Sequence, residues 1–203
     1  MSLKLRTLFS MLVVGPSGSG KSVLVNNLIQ NRDTLLDRKY SKVVWCYGIW
    51  QDFYETLPYT MHEGPPSQEI LDAGNMILVV DDMMNSAQDL MAAVFTKTSH
   101  HKNICCIFLT QNLFVKGVHS RTISLNAHYL ILMKNSRDRA QISHLARQVY
   151  PNNSRFLVDS YNDATAKPYS YLMLDFKQET PENLRVVTGI LPNEDGFAYS
   201  QKL

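Results

Sequence analysis

The segment Gly15-Pro16-Ser17-Gly18-Ser19-Gly20-Lys21-Ser22 constrains this chain more than any other stretch of it. It fits GxxxxGK[ST] and stands between an apolar run and an amphipathic one. Glycines let the backbone curl until successive N–H groups point inward at an anion. A helix that starts at the end of such a loop adds the positive end of its dipole. The lysine then reaches the β- and γ-phosphates of a nucleotide, and the hydroxyl that follows it ligates Mg²⁺. The pattern predicts Gly15, Pro16, Ser17, Gly18, Ser19, Gly20, Lys21 and Ser22 as a cradle for ATP, with Ser22 also on the metal. A Gly/Ser-rich turn that merely caps a helix is the plainer alternative, and both flanks argue against it.

Those flanks begin a regular alternation. Phe9–Val14 reads as a buried strand, and Lys21–Gln30 as a helix with Val23, Leu24, Val25, Leu28 and Ile29 available to its buried side. Lys42–Tyr47 is β-branched and aromatic, a second strand. Gln51–Ser67 contains Pro58, Gly64, Pro65 and Pro66 and reads mostly as loop. Met76–Val80 is an apolar strand running into Asp81-Asp82. Asp89–Lys97 reads as a helix, and Ile104–Leu109 as a strand ending in Thr110-Gln111-Asn112. Tyr129–Met133 follows as a strand, and Arg137–Gln148 as a helix that stops before Pro151. Two further strands are expected at Tyr171–Leu174 and Arg185–Ile190, and the tail after Leu191 shows no pattern. Strands alternating with helices predict an α/β fold, a mostly parallel central sheet flanked by helices on both faces. The 203 residues, 45% hydrophobic and 19% charged, suit one globular domain over 1–203 and exclude a disordered chain.

Asp81 ends a buried strand beside the phosphate strand, a place from which a carboxylate holds Mg²⁺ through water. Neighbouring strand residues point to opposite sides, so Asp82 faces differently and is the candidate to orient the attacking water. A solvated strand end is the alternative, and the loop upstream tips the reading towards function. Gln111 ends the next buried strand, where a polar side chain can sense the γ-phosphate. Thr110 and Asn112 compete for that role, and a strand-end turn remains open. Arg121, Arg137, Arg139 and Arg147 lie beyond these motifs. One of them could act on a neighbouring subunit, although surface charge is the commoner use of any one arginine. Arg121 is the first choice, in a loop ahead of Tyr129–Met133. His100-His101 and Cys105-Cys106 are poorly spaced for zinc, because adjacent strand cysteines point opposite ways. The aromatic group Trp45, Tyr47, Trp50, Phe53 and Tyr54 could stack on a base or simply pack.

A formal net charge of +2 neither requires nor excludes DNA binding, for which a local basic surface is enough. Three cysteines argue against a disulfide framework and suit a reducing compartment. The apolar runs are strand-sized, so no membrane span is expected, and the start of the chain lacks the apolar core of a signal peptide.

With these residues in view, the chain resembles the FtsK/HerA superfamily of DNA-pumping ATPases. Within it the resemblance is to the packaging ATPases of Maverick/Polinton elements, adintovirus-like viruses and their poxvirus relatives. It rests on GPSGSGKS at Gly15–Ser22, LVVDD at Leu78–Asp82, SHHKN at Ser99–Asn103 and LTQN at Leu109–Asn112. SRTISLNAHY at Ser120–Tyr129 and KNSRDRAQISHLARQVYP at Lys134–Pro151 extend it over nearly the whole chain. The resemblance implies an ASCE-type, RecA-like P-loop core and a homo-oligomeric ring that drives double-stranded DNA into a capsid. It therefore implies viral capsid proteins as partners and a virus-associated place in the cytoplasm or nucleus of an infected cell. Lys21, Ser22, Asp81, Asp82 and Gln111 stand at the family's functional positions. Many relatives carry Glu where this chain has Asp82, a shorter carboxylate. Two other readings stay open. GPSGSGKS also resembles the loop of guanylate kinases, although no acceptor-nucleotide subdomain is recognisable. A non-enzymatic, ATP-gated adaptor for capsid protein is the third.

Overall fold

A strand buried on both faces can satisfy its backbone N–H and C=O groups only along its edges, so apolar runs of this kind must pair into a covered sheet. The computed structural model describes residues 4–81, 83, 88–114 and 120–201. Among these, the runs form β1 (Ser10–Val14), β2 (Lys42–Tyr47), β3 (Thr60–Glu63), β4 (Met76–Asp81), β5 (Ile104–Thr110) and β6 (Tyr129–Met133). β7 (Tyr171–Asp175), β8 (Val186–Thr188) and β9 (Phe197–Tyr199) follow. All pair in one sheet of order β3-β2-β4-β5-β1-β6-β7-β8-β9. Every pairing from β3 to β6 is parallel, and β7, β8 and β9 add antiparallel. The sheet is mostly parallel, as expected.

Pleat alternation sorts the strand residues between two apolar layers. Met11, Val13, Trp45, Ile77, Val79, Ile107, Leu109, Ile131 and Met173 pack on one face with Leu24, Val25, Leu28 and Ile29 of α1 (Lys21–Gln30). The short α2 (Arg32–Leu35) adds Leu35 to that layer. Leu12, Val14, Leu78, Val80, Cys106, Phe108, Leu130 and Leu132 face the other layer. There they meet α3 (Gln68–Ala73), α4 (Gln88–Ala93), α6 (Ser120–Leu125), α7 (Ala140–Val149) and α8 (Ser154–Ala164) through Leu71, Met91, Ile123, Leu145 and Leu157. The adjacent Cys105 and Cys106 lie in opposite layers, as strand geometry requires.

Several expectations are corrected. β4 does not lie beside β1, because β5 is inserted between them. Gln51–Ser67 is not mostly loop, for it holds a 3₁₀ turn at Asp52–Thr56 and the parallel edge strand β3. β3 is four residues long and partly exposed, so it owes its conformation to the edge of β2 rather than to its own pattern. The helix expected at Asp89–Lys97 runs from α4 through a π-helical turn at Val94–Thr98 into α5 (Ser99–His101). α7 starts later than Arg137, because the Asn135 side chain accepts from the N–H groups of Arg137 (3.0 Å) and Asp138 (3.2 Å) in a preceding turn. The tail after Leu191 is not patternless, since it returns as β9 along β8. α6, α8 and α3 were not expected. α8 had a readable stripe in Leu157, Tyr161 and Ala164, weakened by the polar Ser160 on the same buried side.

The packing of α1 can be tested on two of its residues. Leu28→Ala removes a fully buried side chain and should cost about 2–5 kcal/mol. Val23→Ala, at a residue 49% exposed on the same helix, should stay within about 0.5 kcal/mol. Urea unfolding midpoints read both, and equal losses would contradict this orientation of α1.

Candidate functional site

The level C-terminal ends of the parallel strands form a rim, since Val14 pairs with Thr110 and with Leu132, and Asp81 with Leu109. In open α/β sheets that rim is where ligands bind. At the end of β1 the chain turns into the glycine-rich segment. Gly15 N–H donates to the Thr110 carbonyl at 3.1 Å and extends the β1–β5 ladder. No side chain fits there, because a Cβ would lie 2.6 Å from Met133 Cβ and 2.7 Å from Ser19 Oγ. Ser19 N–H closes the turn onto the Pro16 carbonyl at 3.1 Å.

Gly20 enters α1 in the left-handed region, at φ 90°. It supplies no capping side chain, and the first turn of α1 carries no acidic residue. The dipole end of a helix is thereby left to whatever anion occupies the loop. Lys21 Nζ donates to the carbonyls of Gly15 at 2.7 Å and Pro16 at 3.1 Å, so the ammonium lies folded over the loop.

Across the rim, Asp81 is 2% exposed. Pleat alternation from Ile77 and Val79 puts its side chain on the α1 face. Ser22 Oγ donates to Asp81 Oδ2 at 2.8 Å, and the buried Tyr54 hydroxyl donates to the same oxygen at 3.0 Å. A hydroxyl and a carboxylate in contact, drawn from two elements, form a hard-oxygen donor set of the kind Mg²⁺ takes. The residues present therefore fit that ion.

These groups line a cavity of about 730 Å³. Ser17, Gly18, Gly20, Lys21, Ser22, Asp81 and Gln111, all singled out in the sequence, meet there. Gly15, Pro16 and Ser19 complete the loop that carries them. Of the three candidates at the end of β5, Gln111 is the one that lines the cavity. The Thr110 hydroxyl turns back to the Asn112 carbonyl at 3.2 Å, and the Asn112 side chain accepts from Gln141 at 3.3 Å. Asp82 lies outside the described residues, and so does the Arg121 side chain. The Arg121 backbone belongs to helix α6, not to the loop expected there. Arg137, Arg139 and Arg147 are exposed and do not line the cavity.

Three lining or supporting residues went unrecognised in the sequence. In the sequence Tyr54 is one member of an aromatic group. In the structure it packs against Trp45 and Trp50 and its hydroxyl reaches Asp81. A phenol buried in such a group needs a polar partner, and that was the available signal. Tyr169 and Glu194 reach the cavity from the β7 side with no sequence motif to mark them. Burial first, and then the Glu194 carboxylate, push the Tyr171 phenol up, so it remains a hydrogen-bond donor to Glu194.

No protein-family model matches the sequence, and no curated protein matches it. Solved structures do. The chain is similar to the genome-packaging NTPase B204 of Sulfolobus turreted icosahedral virus 2 in complex with ATP-gammaS, with TM-score 0.57 and 14% identity over 85% of this chain and 94% of that one. It is similar to the DNA-packaging ATPase B204 of Sulfolobus turreted icosahedral virus, with TM-score 0.55 and 11% identity over 100% of both chains. The cytoplasmic domain of the type VII secretion ATPase EccC of Thermomonospora curvata gives TM-score 0.54 and 14% identity, over 88% of this chain and 25% of that one. At such identities the likeness is one of fold, and the fold is that of the P-loop NTPases.

Proposed function

We propose that this chain is an ATP-hydrolysing motor of the FtsK/HerA kind that moves double-stranded DNA into a viral capsid. The observation that carries the enzymatic part is the bond from Ser22 to Asp81 at 2.8 Å, in the cavity that Lys21 also lines and beside a helix N-terminus with no side-chain cap. A glycine turn with a purely structural role has no need of a buried carboxylate brought to it from a strand two places away. The DNA and capsid part rests on the sequence resemblance and on likeness in fold to two viral packaging ATPases.

In this reading the N–H groups of Gly15–Ser22 hold the phosphates, and Lys21 leaves the Gly15 and Pro16 carbonyls to neutralise the β- and γ-oxygens. Ser22 and Asp81 hold Mg²⁺, which when bound withdraws charge from the phosphoryl oxygens. Tyr54 keeps the Asp81 carboxylate in its rotamer. Asp82 orients the attacking water, Gln111 senses the γ-phosphate, and Arg121 acts on the site of a neighbouring subunit in a homo-oligomeric ring. Among the described residues no helix is long and apolar enough to cross a membrane.

Three measurements test this. ATP turnover by the wild type should rise on adding duplex DNA, and the stimulation should fade between about 50 and 200 mM salt as counterion release predicts. Lys21→Ala should abolish turnover with an unchanged melting temperature. Turnover near wild type in that variant, or phosphate transfer to GMP in place of hydrolysis, would sink the motor. Tyr54→Phe keeps the aromatic packing and removes the donor to Asp81. The Mg²⁺ concentration for half-maximal turnover should rise by about tenfold, since a hydrogen bond to a charged group contributes about 1.5 kcal/mol or more. Mg²⁺ dependence identical to wild type would deny Tyr54 its positioning role.

A further inference from the structure

We infer that Tyr169, Leu191 and Glu194 form the nucleobase subsite of this cavity, and that Glu194 selects adenine by accepting from its exocyclic amino group. The inference rests on the ATP reading above and adds to it which residues read the base.

Sheet order fixes the direction in which a nucleotide lies. Around the phosphate loop the strands run β4-β5-β1-β6-β7. Asp81 ends β4, two places from β1 on one side, and Tyr171 begins β7, two places away on the other. The terminal phosphates belong at the Ser22–Asp81 contact. A triphosphate anchored there by its far end must send its nucleoside towards β7. The cavity continues in that direction and is lined there by Tyr169, Tyr171, Leu191 and Glu194.

Tyr169 has two features that bear on this. Its backbone is left-handed, at φ 60°, because it follows Pro168 in the tight turn that leads into β7, and that turn fixes where its ring stands. It is also 70% exposed, so its ring gains little from burial in the protein. Yet the ring sits beside the loop, with Cδ1 3.3 Å from where a Cβ on Gly20 would be. An aromatic ring held at the mouth of a nucleotide cavity offers a face on which a base stacks. Leu191 supplies an apolar wall.

Glu194 supplies the discrimination. Its carboxylate is held from behind, Oε2 accepting from the Tyr171 hydroxyl at 2.5 Å and from Leu191 N–H at 3.1 Å. The Tyr171 oxygen in turn accepts from Ile190 N–H at 2.9 Å. Among the described residues both hydrogen bonds to this carboxylate use Oε2, and Glu194 lines the cavity, so Oε1 is the oxygen we assign to the ligand. An ionised carboxylate only accepts. The adenine amino group donates to one such oxygen, whereas guanine sets a carbonyl at the same ring position. The paired N–H donors of guanine would be matched best by a carboxylate with both oxygens open.

Calorimetric binding of ATP, GTP, the triphosphate of unsubstituted purine riboside and inorganic tripolyphosphate tests the subsite. Wild type should bind ATP at least about tenfold more tightly than GTP or the purine analogue, the amino group being the difference. Glu194→Gln should bring the three nucleotides to within about threefold of one another, because an amide both donates and accepts. Tyr169→Ala should weaken all three nucleotides on the order of tenfold through lost stacking. Neither variant should alter tripolyphosphate binding, whereas Lys21→Ala should abolish it. Equal affinity of wild type for the three nucleotides, or a Tyr169→Ala variant that binds them like wild type, overturns the base subsite and leaves the phosphate cradle standing. A wild type that binds neither tripolyphosphate nor any nucleotide overturns the nucleotide reading itself.

Discussion

Cover on both faces of the central strands sets where polar groups can stand in this molecule. β1, β4, β5 and β6 are buried along their whole length, so nothing polar can be placed on them except at their ends. The parallel register brings those ends level. Chemistry is thereby confined to one rim, and pleat alternation decides which residue at each end turns to the α1 face. Asp81 does, in step with Ile77 and Val79, and it meets Ser22 there.

The rim has an asymmetry that gives the cavity a direction. Towards β4, the lining is a buried carboxylate held by two hydroxyls. Towards β7, it is two tyrosines, a leucine and a carboxylate held through a tyrosine and a backbone N–H. Hard oxygen donors suit a metal and terminal phosphates, and flat apolar faces suit a base. The loop between the two ends presents backbone N–H groups and one lysine, which suit the linking phosphates. A nucleoside triphosphate has the same sequence of chemical character along its length.

Legibility in the sequence followed the range of the forces involved. β1, α1, β2 and β6 could be read closely because each carries its own pattern, and Gly15–Ser22 because each glycine and the lysine answer a local demand. β3, α3 and the β9 tail could not. β3 is held by the edge of β2, and β9 by β8, contacts that no window of neighbouring residues contains. In the site, Asp81 and Gln111 were legible as polar residues ending apolar runs. Tyr54, Tyr169 and Glu194 were not, since their relation to the loop crosses the sheet order.

Local patterns were enough to specify a covered, mostly parallel sheet with a glycine-rich turn between the first strand and the first helix. Apolar periodicity and glycine placement act over a few residues, and so they are written locally. Long-range packing put β5 between the acidic strand and the glycine-rich loop, set Tyr54 behind Asp81, and returned the chain after Leu191 to the mouth of the cavity. Strand order and the return of a tail follow from which buried faces fit one another across the whole core. That fit is a property of packed volumes and shared edges, and no single segment carries it.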